Sequence, residues 1–181
     1  GLYYAPDPSS QIACSIGGNV AENAGGVHCL KYGLTVNNVL GARVVMACGE
    51  IVELGGALYD NPGPDLLALI CGSEGMLGIV TEVTVALLPE PETKAVLLAA
   101  FSQVVDAGSA VAAIISAGII PAGMEMMDKL AVQAAEAFAK AGYPLDAEAI
   151  LIIELDGAAA ELATLNSQVT DLLLQHKAYQ I

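Results

Sequence analysis

Two stretches dense in glycine constrain the fold of this chain more than any other feature. The first lies within residues 14–33 and the second within residues 72–82; their glycines are Gly17, Gly18, Gly25, Gly26, Gly33, Gly72, Gly75 and Gly78. Glycine loses much backbone entropy on folding, so repeated glycines mark positive φ angles or close backbone approaches. The segment Asn19–Asn23 could line a nest of N–H groups for an anion. Tight turns in a small β-rich domain explain the same spacing, and spacing alone leaves both readings open.

The common nucleotide-binding motifs are missing from both stretches. No G-x-G-x-x-G opens a helix after a strand, and no G-x-x-x-x-G-K-[ST] occurs. Gly72, Gly75 and Gly78 repeat every third residue, which fits neither template. The sequence therefore excludes a Rossmann or P-loop site.

Composition excludes several classes of function. Hydrophobic residues make up 55% of the 181 residues, which predicts a large buried core and no disorder. The net charge of -14 leaves no basic face for nucleic acid. The most apolar window, residues 107–124, is interrupted by Gly108 and Pro121 and predicts a helix, a turn and a strand, with no membrane span.

The four cysteines show no metal-binding or disulfide pattern. Cys14, Cys29, Cys48 and Cys71 form no C-x-x-C pair and have no histidine pair nearby. Scattered free thiols suit a reducing cytoplasm, which we expect as the location, with peripheral membrane association as an alternative. We expect no bound metal, because Glu125 and Asp128 also lack ligand spacing.

Pro89-Glu-Pro-Glu92 divides the chain into two predicted domains, residues 1–89 and 93–181. Before this linker the pattern predicts short strands over 34–40, 43–46, 50–54 and 79–88, and a helical turn over 65–70. After it, strands over 95–101, 119–126 and 149–155 alternate with three helices. Ser102 and Asp128 are the expected N-caps of the first two helices, and the third runs from about Ala158 to His176. This pattern predicts an α+β fold with helices on one face of a sheet.

Several motifs occur in an order that resembles the FAD-linked oxidases. They are Pro6-Asp-Pro-Ser-Ser10, Ile16-Gly-Gly-Asn-Val-Ala-Glu-Asn-Ala-Gly-Gly26, Lys31-Tyr-Gly33, Val39-Leu-Gly41 with Gly49-Glu50, and Gly72-Ser-Glu-Gly-Met-Leu-Gly-Ile-Val-Thr81. The likeness is strong over residues 4–88 and looser through 116–128. This family contains the glycolate oxidase flavoprotein subunit, D-lactate dehydrogenase and D-2-hydroxyglutarate dehydrogenase. It implies the later part of a FAD-binding domain of the p-cresol methylhydroxylase type, followed by part of a ferredoxin-like cap domain.

The resemblance also implies the cofactor, the substrate and the residues that meet them. The cofactor is FAD, the substrate is a small 2-hydroxy acid, and other subunits of an oxidase complex are expected partners. The residues implied to line the cofactor are Pro6, Asp7, Pro8, Ile16, Gly17, Gly18, Asn23, Gly25, Gly26, Tyr32, Gly33, Glu74, Gly75, Gly78, Ile79 and Val80. His28 is a weak candidate for catalysis because a lone histidine is more often structural. Tyr32 either covers a ring or fills core.

Several features set this chain apart from the pattern of the family. Relatives carry a pyrophosphate-binding loop before Pro6 and substrate-site histidines beyond the cap, so we expect a fragment that binds FAD weakly and has no activity alone. Gly63-Pro-Asp65 stands where relatives have Gly-Tyr-Asp, and proline removes a backbone donor there. Arg43, the only arginine, lies in a predicted strand, so we expect a substrate clamp elsewhere. The alternative function is a catalytically incomplete scaffold that forms a homo-oligomer or binds a partner.

Overall fold

The computed structural model describes residues 1–57 and 63–181. Backbone contacts divide the chain into two compact units, Gly1–Glu90 and Pro91–Ile181. Unit 1 contains β1 (Leu2–Tyr3), α1 (Ile16–Glu22), α2 (Cys29–Tyr32), α3 (Thr35–Asn38), β2 (Val39–Val45), β3 (Ile51–Gly55), α4 (Leu66–Ile70), β4 (Ile79–Val85) and β5 (Leu88–Pro89).

Unit 1 is built on an antiparallel sheet in the order β3-β2-β4, with β1 paired separately to β5. Its core holds Val20 from α1, Val44 from β2 and Ile70 from α4. The register between β2 and β4 shifts after Arg43, so that Val80 and Val83 both pack on this core. Such a bulge inserts one extra residue into a strand and re-aims the side chains beyond it.

Helix α1 stands where the sequence analysis placed an anion nest or a pair of turns. Ser15 caps it by accepting a hydrogen bond from the Gly18 N–H at 3.0 Å, and Asn23 ends it with φ of 48°. The expected nest over Asn19–Asn23 is wrong, since residues 19–22 are helical. Glycine disfavours helices, but the Ser15 cap and the burial of Val20 outweigh that propensity.

Unit 2 is a four-stranded antiparallel sheet with three helices. Its elements are β6 (Thr93–Phe101), α5 (Val104–Ser116), β7 (Gly123–Asp128), α6 (Lys129–Ala139), β8 (Ala149–Gly157), α7 (Ala159–Gln175) and β9 (Ala178–Gln180). The strand order β7-β8-β6-β9 is that of a ferredoxin-like fold, with α6 inserted between its second and third strands. The predicted α+β class and ferredoxin-like unit are confirmed.

The two faces of this sheet carry different helices. Helices α5 and α7 cover the face that contains Phe101 and Leu151, together with Ile114 and Leu173 of the helices. On the other face Val132 of α6 packs against Ala100 and Ile150. The expectation of helices on one face is therefore wrong for α6. Alternate side chains of a strand point to opposite faces, so β6 and β8 supply apolar residues to both.

Three other local predictions differ from the structure. Residues 35–38 form α3 where a strand was expected, because the Asn37 side chain accepts a hydrogen bond from the Leu34 N–H at 2.9 Å. The N-cap of α5 is Gln103, one residue after Ser102. Asp128 caps α6 as expected, accepting from the Ala131 N–H at 2.8 Å. The strand expected over 119–126 begins only at Gly123.

No helix within residues 1–57 or 63–181 has both the length and the apolar character required to span a bilayer. The apolar window of residues 107–124 is divided between α5, a turn at Gly118 with φ of 77°, and the start of β7.

All four cysteines are free thiols, and we expect them to differ in reactivity. Cys14 and Cys48 are exposed, whereas burial, helped by the charge of Asp65, raises the pKa of the Cys71 thiol. Because the thiolate is the nucleophile, Cys71 should react with an alkylating reagent at least about tenfold more slowly than Cys48 near pH 8. Peptide-resolved mass spectrometry measures the rates, with urea-unfolded protein as the control. Equal rates for the two residues in the folded chain would contradict this prediction.

Candidate functional site

The two glycine-rich stretches meet in unit 1. The Gly72 N–H donates to the carbonyl of Val20 at 2.9 Å, and the Glu74 N–H donates to the carbonyl of Ala21 at 2.9 Å. The turn that follows α4 therefore satisfies the last carbonyls of α1, which a helix otherwise leaves unpaired. Two segments about fifty residues apart in the sequence form one continuous structure.

Close packing inside unit 1 explains most of the glycines. A Cβ on Gly26 would lie 2.3 Å from the carbonyl oxygen of Asp7, and one on Gly78 would lie 2.5 Å from a methyl carbon of Val44. A Cβ on Gly17 would lie 3.0 Å from the carbonyl oxygen of Val80. Gly25 and Gly33 are confined in the same way by neighbouring side chains. These positions need glycine whether or not a cofactor is bound.

Gly75 faces open space, whereas Gly18 is exposed but already in contact with a side chain. A Cβ on Gly75 would meet no atom of the described residues within 4 Å, although its φ of 75° favours glycine. A Cβ on Gly18 would lie 3.1 Å from the Ser15 hydroxyl, which accepts a hydrogen bond from the Gly18 N–H. Beside Gly75, Glu74 has a φ of 54°, a conformation that is uncommon for a residue with a side chain. A ligand could therefore approach the backbone closely at Gly75.

The Pro6-Asp7-Pro8 segment is held against His28. Asp7 Oδ2 lies 2.8 Å from His28 Nδ1, and both side chains are largely shielded from solvent. The prolines on either side of Asp7 are buried. Asp7 Oδ1 is also buried, and no group in the described residues donates a hydrogen bond to it. A buried carboxylate oxygen without a donor is costly, so it is suited to accept one from a bound molecule.

Aromatic contacts hold Tyr32 in place. Its ring centroid lies 6.1 Å from that of Tyr3 and 6.3 Å from that of His28, both edge to face. The ammonium of Lys31 lies 5.3 Å from the same ring. Of the two roles left open for Tyr32, these contacts favour packing within unit 1. They also give His28 a structural role, with Asp7 and Tyr32 as its neighbours.

Unit 1 also exposes several large apolar side chains. Ile51, Val45 and Ile79 are cross-strand neighbours on one face of the sheet, and Ile79 is 69% exposed. Ile16 at the start of α1 and Met76 are exposed as well, Met76 by 80%. The sequence analysis named Ile16 and Ile79 but missed Met76, although a large apolar residue in a loop of small polar ones is a signal for a contact surface.

Unit 1 has three features that suit a flavin. They are exposed apolar side chains that could contact a flat ring, the open backbone at Gly75, and the buried carboxylate oxygen of Asp7, which no described group donates to. Asn23 contributes indirectly, because its side chain accepts a hydrogen bond from the Val36 N–H at 2.9 Å and fixes the end of α1. Val80 faces the core, so its contribution is limited to its backbone.

Arg43 is not available as a carboxylate clamp. Its guanidinium pairs with Glu53 and with Glu82 on the two neighbouring strands. These carboxylates raise the pKa of Arg43, Glu53 having the larger effect, so the group stays cationic and neutralised. Among residues 1–57 and 63–181, no three side chains of histidine, cysteine, aspartate or glutamate are placed to hold a metal ion.

A cavity of about 550 Å³ lies near Gly63-Pro64-Asp65. Leucines 40, 54, 66 and 67 supply much of its wall. Its carboxylates are already engaged, since Asp65 Oδ1 accepts from the Ala68 N–H at 3.0 Å and Glu53 pairs with Arg43. Asp65 thus serves as the N-cap of α4, and both carboxylates among the described lining residues are engaged within the protein.

Comparison with known proteins identifies the family. Residues 90–181 match the C-terminal domain of FAD linked oxidases, and residues 1–55 match a FAD binding domain. The chain is 62% identical over 180 residues to the glycolate oxidase subunit GlcD of Escherichia coli K12, covering 99% of this chain and 36% of that protein. It is 36% identical over 189 residues to a D-lactate dehydrogenase of Anaerostipes hadrus, covering 100% of this chain and 40% of that protein.

A solved structure shows the same fold. An alkyldihydroxyacetonephosphate synthase superposes with a TM-score of 0.84 at 24% identity, covering 99% of this chain and 37% of that one. The chain spans somewhat more than a third of the length of these relatives. The resemblance inferred from the motifs is confirmed, because the C-terminal domain match alone covers 92 of the 181 residues. The chain belongs to the FAD-linked oxidases.

Proposed function

We propose that this chain is part of a FAD-dependent enzyme that oxidises a small 2-hydroxy acid of the glycolate or D-lactate type. The observation that carries the proposal is the 62% identity to a glycolate oxidase subunit over 180 residues, which extends through both units. The exposed apolar side chains of unit 1, the open backbone at Gly75 and the buried Asp7 oxygen without a described donor support it.

In this proposal residues 1–89 are part of the FAD-binding domain and residues 93–181 are part of the substrate cap. FAD, when bound, supplies the acceptor for the hydride of the substrate. Ile16, Met76 and Ile79 provide apolar contacts, and Gly75 admits the cofactor close to the backbone. Asp7 Oδ1 accepts a hydrogen bond from the bound molecule, while His28 orients Asp7 through its other oxygen. The packed glycines, Gly17, Gly26 and Gly78, keep these groups in position.

The remaining parts of the proposal concern location and partners. Four free thiols in the chain are consistent with a reducing cytoplasm. The name of the E. coli relative describes a subunit, which supports further subunits as partners of this chain. Arg43, the only arginine, is paired with two glutamates, so in this proposal the cation that binds the substrate carboxylate lies elsewhere in the protein.

A chimera tests the proposal without assuming that 181 residues suffice. This chain replaces the matched 180 residues of the E. coli subunit, and the purified chimera is examined for flavin absorbance between about 350 and 500 nm. We expect bound flavin and glycolate-dependent reduction of an artificial electron acceptor. A folded chimera without flavin would contradict the proposal.

Two variants of the chimera test the surface itself. Ile79→Asp should lower the flavin content at least about tenfold, because it places a charge on the apolar wall without disturbing the core. Leu69→Asp, on the exposed side of α4, is the matched control and should retain flavin. Full flavin content in the Ile79 variant would exclude this surface as the cofactor site.

A further inference from the structure

The turn over residues 72–76, which we call the 72–76 turn, has several left-handed backbone angles. Gly72, Glu74 and Gly75 have φ of 81°, 54° and 75°. The left-handed region is unfavourable for a residue with a side chain, so Glu74 stores strain there. Such a conformation persists only where neighbouring contacts enforce it, and the 72–76 turn finds such contacts on α1.

Helix α1 depends in its turn on contacts outside itself. It has seven residues, and its second and third are Gly17 and Gly18, which disfavour a helix. A helix this short is unstable in isolation, because nucleation is costly and few hydrogen bonds follow it. The carbonyls of Val20 and Ala21 near its end accept hydrogen bonds from N–H groups of the 72–76 turn, each at 2.9 Å. These two bonds join a strained turn to a marginal helix.

We infer that the 72–76 turn is a latch for α1, so that the two elements open and close together while the rest of unit 1 stays folded. When the turn opens, the last carbonyls of α1 lose two donors and the end of the helix loses its support. When α1 unfolds, the turn loses the acceptors that hold it, and its strained residue relaxes. Each element therefore needs the other, which makes their opening a single cooperative step.

The sheet of unit 1 is held by contacts of its own. Strand β2 is hydrogen-bonded on both sides, to β3 and to β4, and its Val44 is fully buried. Opening of the latch exposes Val20, which α1 contributes to the core, but it leaves these strand pairs intact. The opening therefore requires less free energy than the unfolding of unit 1 as a whole.

The latch has a consequence for the cofactor site, and this consequence rests on the proposed function. Ile16 lies at the start of α1, whereas Gly75 and Met76 lie in the 72–76 turn. A molecule that contacts both elements binds only when the latch is closed, so it shifts the population toward the closed form. Binding of the cofactor and closure of the latch then form one linked equilibrium.

Amide hydrogen exchange of the 181-residue chain, resolved by residue with NMR, tests the latch. Gly75→Ala puts a side chain at φ of 75°, where a Cβ meets no atom of the described residues within 4 Å, so it adds strain without a clash. Gly49→Ala is the matched control, since Gly49 in the β2–β3 turn has φ of 85° and equally open surroundings. We expect Gly75→Ala to speed exchange of the α1 amides at least about fivefold, and Gly49→Ala to leave it unchanged.

The amides of β2 distinguish the latch from general destabilisation. They exchange when the whole of unit 1 unfolds, which releases the strain of either alanine, so both variants should accelerate them about equally. If the α1 amides also respond equally to both variants, then α1 opens only with the whole unit and the latch is excluded. If they respond to neither variant, then α1 opens without the 72–76 turn and the inference is wrong as well.

Glu74→Asn is a second variant, and its expected effect has the opposite sign. Asparagine adopts the left-handed region more readily than glutamate, so the closed latch gains stability. Exchange of α1 and of the 72–76 turn should slow together by a factor of about three, which a misfolded variant cannot produce. Unchanged or faster exchange in α1 would contradict the latch.

The chimera tests the link to the cofactor, by exchange with and without bound flavin. We expect flavin to slow the amides of α1 and of the 72–76 turn by the same factor. Protection of one element without the other would overturn the coupling. A chimera that binds no flavin would contradict the proposed function alone, because the exchange results on the unliganded chain do not involve the cofactor.

Discussion

Gly26→Ala should destabilise unit 1 by about 3 kcal/mol, because overpacking a well-packed position costs 1–3 kcal/mol or more. The added Cβ would lie 2.3 Å from the carbonyl oxygen of Asp7 and 3.0 Å from its Oδ1. Relief requires the Pro6-Asp7-Pro8 segment to move, and the two buried prolines leave it little freedom. We expect this loss of stability even in the absence of flavin, because the steric clash is between two parts of the protein itself.

Hydrogen exchange of unit 1 peptides in urea measures this effect separately from unit 2. Gly56→Ala is the control, because a Cβ at that position meets no atom of the described residues within 4 Å and should change stability by less than about 0.5 kcal/mol. If Gly26→Ala lost only flavin binding and kept its stability, the glycine would serve the cofactor and the packing explanation would be wrong.

Phe101→Ala should destabilise unit 2 by about 4 kcal/mol, within the range for removing a buried phenylalanine. Phe101 is fully buried on β6, in the core shared with Ile114 and Leu173. Phe138, the other phenylalanine of the chain, is exposed and allows the same substitution as a control. Phe138→Ala should change stability by less than about 0.5 kcal/mol when measured at low micromolar concentration. Hydrogen exchange of unit 2 peptides in urea compares the free energies of unfolding of the two variants. Equal losses of stability for Phe101→Ala and Phe138→Ala would contradict the assignment of the core.

The strands and helices of unit 2 were the more predictable part of the chain. The run Ala95–Phe101 and the run Ala149–Leu155 are apolar at every or nearly every position, and they form the two central strands, which are buried on both faces over Ala99–Phe101 and Ala149–Leu151. Such runs arise where helices cover each side of a sheet, which is also why α6 lies opposite α5 and α7. The sequence showed the buried strands but not which face each helix would take.

Unit 1 was less predictable because tertiary contacts override local preference there. Ile16–Glu22 begins with two glycines after its first residue, a poor start for a helix, yet its packing on β4 and the Ser15 cap make it one. The motif glycines were recognised as special, but no sequence pattern revealed that Gly17, Gly26 and Gly78 each pack closely against another part of unit 1. The Asp7–His28 pair joins residues whose contact no local pattern indicates.

The pairing of β1 with β5 has a consequence for synthesis of the chain on the ribosome. Leu2 pairs with Pro89 and Tyr3 with Leu88, so unit 1 is closed by pairs of residues that are 87 and 85 positions apart. The β2–β3 hairpin can form early, whereas this closure must wait until Pro89 has emerged from the exit tunnel. Closing a long loop carries an entropic cost that only late native contacts offset. The segment that presents Pro6-Asp7-Pro8 should therefore be among the last parts of unit 1 to acquire its shape, and a translational pause before that point would leave it exposed to chaperones and proteases.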